Sequence, residues 1–375
     1  MPQLPEPDSL ALEHSERLSA LIREKIAERG GWIPFSDYMR LALYAPGLGY
    51  YSAGAVKLGR DGDFVTAPEI SALFGKTLAR FASEWLSCNP GKDILELGAG
   101  SGKLARDFLE EVESFDGTYY ILEVSADLRG RQEERLKGLP VSWIEDLPDD
   151  FEGIIIANEV LDAVPFHVVS WKEEGIMERG VAVHDGKFSW HDRPLEKGKL
   201  LDAASQIDAG AGYVSEIQLE AQALAKRIAG SLKKGILLFI DYGFGRREYY
   251  HPERNRGTLM CHYRHHAHDD PFLLPGLQDI TTHIDFSAIA EAGTDSGLQL
   301  AGYTNQANFL IHCGITEILG RFSPENPLAY LPLSNALQRL VSPAEMGELF
   351  KVMAFCNDTV INSSCFSLGD RSRLL

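Results

Sequence analysis

The stretch at residues 93–104, DILELGAGSGKL, limits what this chain can fold into more than any other. Ile94, Leu95 and Leu97 predict a short buried strand. Gly98-Ala99-Gly100-Ser101-Gly102 predicts a glycine-rich turn, and residues 103–113 a helix. A strand feeding such a turn and then a helix is how an open α/β sheet builds a nucleotide-binding crevice at the carboxyl ends of its strands. Glycines suit that place because a Cβ blocks close approach of the backbone to a ligand. A dinucleotide turn has the form G-x-G-x-x-G. Counted from Gly98, its last glycine falls on Lys103, which disfavours NAD. The plainer alternative is a glycine-rich strand–helix turn with no ligand.

The spacing Glu96-x-Gly98-x-Gly100-x-Gly102 resembles motif I of S-adenosylmethionine (SAM) methyltransferases. In that motif the acidic residue faces the methionine moiety and the glycines let it lie flat. SAM carries no phosphate, so no phosphate cradle is required.

The remaining sequence sets bounds on class and partners. A chain of 375 residues, 45% hydrophobic, can bury a large core as one big domain or two. Its formal charge of −18 argues against a general phosphate-binding surface, hence against a nucleic-acid partner. The five cysteines, Cys88, Cys261, Cys313, Cys356 and Cys365, are scattered without a C-x-x-C pair. That usage fits free thiols in a reducing compartment. No apolar run reaches the roughly 18 residues of a membrane span, so no membrane insertion is expected. The N-terminal residues read neither as a secretory signal nor as an Arg-rich transit peptide, which predicts a cytoplasmic protein.

Taken in order, residues 9–29 are helical by period, with a second short helix at 34–43. Residues 44–75 form a long Gly-, Tyr- and Ala-rich loop, followed by a helix at 68–86. Strands at 93–97, 118–124, 141–144 and 153–157 alternate with helices, which predicts a parallel sheet with right-handed crossovers. Residues 166–192 break that rhythm as two or three short strands, with Asp185-Gly186 as a hairpin turn. A helix at 215–232, a buried strand at 235–242 and an irregular segment at 243–285 follow. The rest reads as a helix at 286–292, a strand at 298–303, helices at 308–319 and 335–340, and a final strand at 350–356.

The fold class expected is therefore a Rossmann-like α/β sheet of the class I SAM-dependent methyltransferase kind, with an N-terminal helical region and α/β insertions. The organisation expected is a covering region at 1–90 and a SAM-binding core at 91–165 and 215–245. An antiparallel insertion at 166–214, an active-site loop insertion at 246–285 and a completing part at 286–375 make up the remainder.

Several acids stand at strand ends. Glu123 closes the second strand, where a carboxylate offers two acceptor oxygens to a ribose diol. Asp146, past the third strand, stands where such folds bind an adenine amino group. Asn158 and Glu159 close the fourth strand, over the sulfonium methyl in this architecture. Glu159 is suited to hold a cationic acceptor or take its proton, with Glu69 or Asp162 assisting. An Asn-capped helix start is the plainer account of 158–165, and both can hold. The string at 59–70 reads from composition only as a loop and a capped helix. His251, His262, His265, His266, His268 and His283, with Asp269 and Asp270, invite a metal reading, His262 and His266 having helical spacing. No clean ligand set appears, so no metal is expected, and a His- and Arg-rich wall over the active site is the better account.

Together, GDFVTAPEIS-x-LFG at 62–75, ELGAGSGKLA at 96–105, NEVLDAVPFHVV at 158–169, IDYGF at 240–244 and HPERNRGTLMCHYRHHAHDDPF at 251–272 resemble one family. GLQDITTHIDFSAI at 276–289 and PAEMGELFKVM at 343–353 continue the match. The family is the MidA-like SAM-dependent methyltransferases, whose mitochondrial members methylate an arginine of a core subunit of respiratory complex I and assist its assembly. The resemblance implies SAM as cofactor, bound by Gly98, Gly100, Gly102 and Glu123, with Asn158 and Glu159 at the methyl. It sets Asp63, Thr66 and Glu69 near the cofactor or acceptor. The implied partner is a protein substrate such as a complex I subunit, and a homo-oligomer is compatible with the reading. The N-terminus departs from the mitochondrial members and points to a bacterial relative. An N-P-P-Y signature of glutamine methylation is absent. Small-molecule methylation and a SAM-binding assembly factor with little activity are the competing functions.

Overall fold

In a computed structural model, the strand–turn–helix stretch lies near the middle of an eight-stranded sheet. The structure describes residues 4–53, 66–113, 115–361, 364–367 and 369–375. These sort into two units. One is drawn from Met1–Phe64, Asp162–Ala223 and Arg246–Ile284, the other from Val65–Leu161, Leu224–Gly245 and Asp285–Leu375.

The second unit carries the glycine turn. In chain order its elements begin with α1 (Ala67–Ile70), α2 (Ala72–Cys88), β1 (Asp93–Leu97), α3 (Lys103–Glu111), β2 (Tyr119–Leu122) and α4 (Ala126–Arg135). They continue with β3 (Val141–Ile144), β4 (Phe151–Asn158), β5 (Leu232–Phe244), α5 (Phe286–Asp295), β6 (Gln299–Asn305) and β7 (Phe350–Asn357). The strands lie in the order β3-β2-β1-β4-β5-β7-β6, with a two-residue strand, Ile284–Asp285, beside β5. β1 to β5 run parallel, while β7 is antiparallel to both β5 and β6. Strands covered on both faces read as unbroken apolar runs, and Ile154-Ile155-Ile156-Ala157 of β4 are all buried. Each large side chain buried this way stabilises the fold by about 1.5–3 kcal/mol. Ile94, Ile154, Ile156, Leu238, Ile240 and Val352 share one core with Phe74, Leu78 and Phe81 of α2 and Leu104 and Phe108 of α3.

Beside β4, Gly235 of β5 lies opposite Gly153 with φ +138°, next to a register irregularity. A Cβ on Gly235 would stand 1.8 Å from the Gly153 carbonyl oxygen, a backbone atom that cannot yield without breaking the ladder. Gly235→Ala is expected to destabilise the protein by about 3 kcal/mol, combining overpacking with backbone strain. A urea midpoint equal to that of the parent would contradict this.

The other unit holds the helices Ser9–Glu28 and Phe35–Tyr44 and an antiparallel sheet. Asp8 caps the first helix, its Oδ1 accepting from Ala11 N at 2.9 Å. The sheet runs Trp32–Pro34, Gly175–His184, His167–Lys172, Tyr213–Ile217, with Lys187–Pro194 paired to Gly175–His184. Asp185 and Gly186, at φ +49° and +77°, make the hairpin turn that their sequence predicts.

Several expected elements change. Tyr213–Ile217 is a strand paired with His167–Trp171, not the start of a helix; the helix begins at Leu219. Its five residues are too few to tell a strand from a buried helical turn by period. The segment at 243–285 is not wholly irregular, because Met260–Tyr263 pairs with both His266–His268 and Asp279–Thr281. The helix expected at 68–86 breaks at Ser71, whose extended backbone and Oγ cap α2. The one expected at 308–319 breaks at Gly314, with φ +88°. The helix expected at 335–340 is longer, Pro327–Val341, and runs through Pro332.

Candidate functional site

Gly98, Gly100 and Gly102 all have left-handed backbones, at φ +62°, +54° and +77°. The chain therefore turns sharply off β1 and into α3 with no side chain over the turn at those three places. Gly98 N donates to Leu122 O at 2.9 Å, which fixes the turn against the end of β2. Gln132 of α4 holds its far side. The Gln132 Nε2 donates to Gly100 O at 2.8 Å and to Glu123 at 3.0 Å, and its Oε1 accepts from Trp143 at 2.9 Å. Sequence reasoning missed Gln132. Its one signal is a polar residue four places after buried Leu128, on the inner face of α4.

Glu123 follows β2. Its carboxylate also accepts from Ser125 N at 2.9 Å. Burial pushes its pKa up, and the hydrogen bonds from Ser125 and Gln132 pull it back. The next residue, Val124, is 78% exposed, an apolar side chain presented beside the turn's end of the sheet.

Glu96 lies inside β1, 3% exposed, and accepts from the Tyr119 hydroxyl at 2.8 Å. Burial pushes its carboxyl up to about 8, the Tyr119 bond opposing. In the unfolded chain it ionises near pH 4.5, so between there and pH 8 the folded state binds more protons. The stabilisation from neutral Glu96 is therefore present at low pH and lost as pH rises to about 8. Glu96→Gln, which keeps the acceptor without the charge, is expected to flatten the fall in urea midpoint between pH 5.5 and 8. An unchanged slope would count against the shift.

Around the turn, Ser101 donates its hydroxyl to Glu69 of α1 and accepts from Arg135 Nη1 at 2.6 Å. Arg135 stands 3.8 Å from the same Glu69 oxygen. Thr66 precedes α1 as its N-cap, and its carbonyl accepts from Glu69 N at 3.0 Å. Asp63 lies outside the described residues.

At the end of β4 the chain bends at Glu159, a non-glycine residue at φ +52°. Glu159 N donates to Ile240 O at 2.8 Å. Its Oε1 accepts from Ala67 N at 3.2 Å and from Asn158 Nδ2 at 3.3 Å. Asn158 is 9% exposed, and its Oδ1 has no hydrogen-bond partner among the described residues. Such an orphaned acceptor costs free energy until a donor arrives. Asp241 of β5, 1% exposed, accepts from Leu161 N at 3.0 Å. Sequence reasoning carried it only inside the IDYGF string.

Two further expected members have partners of their own. Asp162 belongs to the other unit, where its carbonyl accepts from Thr282 N and its buried carboxylate lies near Tyr51. Asp146 is exposed and paired with Arg227, and no described hydrogen bond joins it to the turn. His262 and His266 lie on paired antiparallel strands, which removes their helical spacing. Among the described residues, no cluster of three His, Cys, Asp or Glu side chains suits a metal.

The arrangement offers a bare left-handed turn flanked by a partly solvated carboxylate at Glu123. Beyond it stand two acceptors, the Glu159 carboxylate and the Asn158 carbonyl, suited to a donor-rich cationic group. Comparison with known proteins bears on what fills it. Residues 77–304 match the family described as "Putative S-adenosyl-L-methionine-dependent methyltransferase". The chain is 31% identical to "Protein arginine methyltransferase NDUFAF7, mitochondrial" of Danio rerio, over 87% of this chain and 84% of that protein. It is 29% identical to the Drosophila melanogaster homolog of that name, over 93% and 87%. A crystal structure of a Burkholderia thailandensis protein bound to S-adenosyl-homocysteine is 47% identical, covers 100% of both chains and superposes with a TM-score of 0.95. The chain belongs to the MidA-like family of SAM-dependent methyltransferases.

Proposed function

We propose that this methyltransferase acts on an arginine side chain of a protein. The observation carrying the reading is the pair of acceptors at the end of β4, Glu159 and the orphaned Asn158 Oδ1. A guanidinium is always protonated and presents several N–H donors in a planar fork, which needs acceptors of this kind. SAM supplies an electrophilic methyl, whose transfer leaves S-adenosyl-homocysteine and one proton to be lost from the substituted nitrogen. Glu159 draws the positive charge toward the far nitrogens, so that the attacking nitrogen keeps its lone pair. Asn158 orients the fork. Holding both reactants in line is worth about 7–11 kcal/mol of barrier. Gly98, Gly100, Gly102 and Glu123 hold the cofactor, Glu123 at the ribose hydroxyls and Glu96 beneath the methionine moiety. Glu69 acts by fixing Ser101 of the turn, with Thr66 beside it.

The name of the Danio rerio relative supports arginine. The family resemblance supports a core subunit of respiratory complex I as the target, and a bacterial cytoplasmic setting agrees with five free thiols. No described helix is long and apolar enough to cross a membrane. The test is peptide mass spectrometry of complex I subunits from cells with and without the gene. One arginine should lose its methyl group in the deletion and regain it with the wild-type gene. Tritium from methyl-labelled SAM appearing only in the low-mass fraction of an extract would overturn protein methylation.

A further inference from the structure

We infer that Asp241 is the positioning residue of the Glu159 turn and that it serves turnover through Glu159. The inference rests on the reading of Glu159 as the acceptor clamp. The ladder between β4 and β5 ends at the pair Asn158 and Ile240. There the chain leaves the strand, and Glu159 takes a left-handed backbone that a non-glycine residue keeps only when its surroundings hold it. β5 supplies the hold in two successive residues. The Ile240 carbonyl accepts from Glu159 N at 2.8 Å, and the Asp241 side chain accepts from Leu161 N at 3.0 Å. Its other oxygen accepts from Tyr242 N at 2.9 Å. A carboxylate thus takes over where the ladder carbonyls stop, gripping the turn on the far side of Glu159.

The residue type matters. Asp241 is 1% exposed, and both its oxygens face backbone donors. An asparagine has one acceptor oxygen, so its amide nitrogen would meet one of the two N–H groups. That leaves a buried donor unpaired and frees the turn on one side.

The experiment compares the parent, Asp241→Asn, Glu159→Asp and the double variant. One readout is the initial rate of tritium transfer from methyl-labelled SAM into protein extract of cells lacking the gene. The other is affinity for S-adenosyl-homocysteine by titration. Asp241→Asn should lower the rate by about 30-fold with cofactor affinity within about twofold, whereas in the Glu159→Asp background the same change should cost under about threefold. Losses that multiply across the two positions would overturn the inference, as would an Asp241→Asn rate within about threefold of the parent. A Glu159→Asp rate equal to that of the parent removes the clamp reading itself. A lowered Glu159→Asp rate with multiplying losses removes only the role of Asp241. If Asp241→Asn fails to bind the cofactor product, hydrogen exchange of the unmodified protein decides. Slow exchange at the Glu159 and Leu161 amides supports the grip, and exchange as fast as an exposed loop overturns it.

Discussion

Gly100→Val is expected to lower the affinity for S-adenosyl-homocysteine by at least about 100-fold, equivalent to roughly 2.7 kcal/mol. The physical reason is local. Gly100 sits at φ +54°, where a β-branched residue is a true outlier and a side chain costs about 1–2 kcal/mol. The chain then either pays that strain or relaxes out of the left-handed turn. Relaxation pulls Gly100 O away from Gln132, which also holds Glu123. Either way the surface proposed to meet the cofactor is lost. Strain alone is separated from loss of the site by Gly91→Val. Gly91 has φ +67°, lies exposed before β1 and has open space around its missing Cβ. That control should destabilise the protein to a similar extent and leave titration unchanged. Equal effects of the two variants on binding would sink the assignment of the turn.

Glu159→Gln is the second large effect. The amide oxygen can still accept from Ala67 N, and the backbone bond to Ile240 O is untouched. The charge goes, and an amide NH2 takes the place of the second carboxylate oxygen. Methyl transfer should fall by about 10²–10³-fold, as when one electrostatic stabiliser is removed from a preorganised site. Cofactor-product affinity should stay within about threefold, because the left-handed turn is elsewhere in the chain. Transfer within fivefold of the parent, with roughly equal cofactor affinity, would leave Glu159 as a capping residue and nothing more.

These two residues were legible for different reasons. The glycine turn shows itself because its spacing is short and local, and a backbone needing positive φ three times admits few residue types. Glu159 was legible as an acid at a strand end. The partners that give both their geometry were not. Gln132 reaches Gly100 across many residues of chain, and Asp241 reaches Leu161 from another strand. A single sequence carries no trace of such pairings except an unexplained polar residue on an apolar face. The same limit applies to fold. A buried strand such as Phe350–Asn357 announces itself by its apolar run. The three-residue strands His266–His268 and Asp279–Thr281 exist only because Met260–Tyr263 pairs with them, so their sequence alone reads as loop. Asp162 and Asp146 were read in the same way, as acids just past a strand. The Arg227 partner of Asp146 and the Thr282 partner of the Asp162 carbonyl come from distant parts of the chain and leave no trace near either residue.

The position of β7 has a consequence for how the protein is made. Phe350–Asn357 closes the gap between β5 and β6, although its residues leave the ribosome after every other described strand. Until they do, β5 offers an open hydrogen-bonding edge whose residues Ile236 to Ile240 are wholly apolar. Open apolar edges recruit other chains. A nascent chain at that stage is a client for chaperones, and a premature stop before residue 350 yields material for proteolysis rather than a weakened enzyme. Alleles that stop before residue 350 would therefore behave as nulls although the glycine turn is intact.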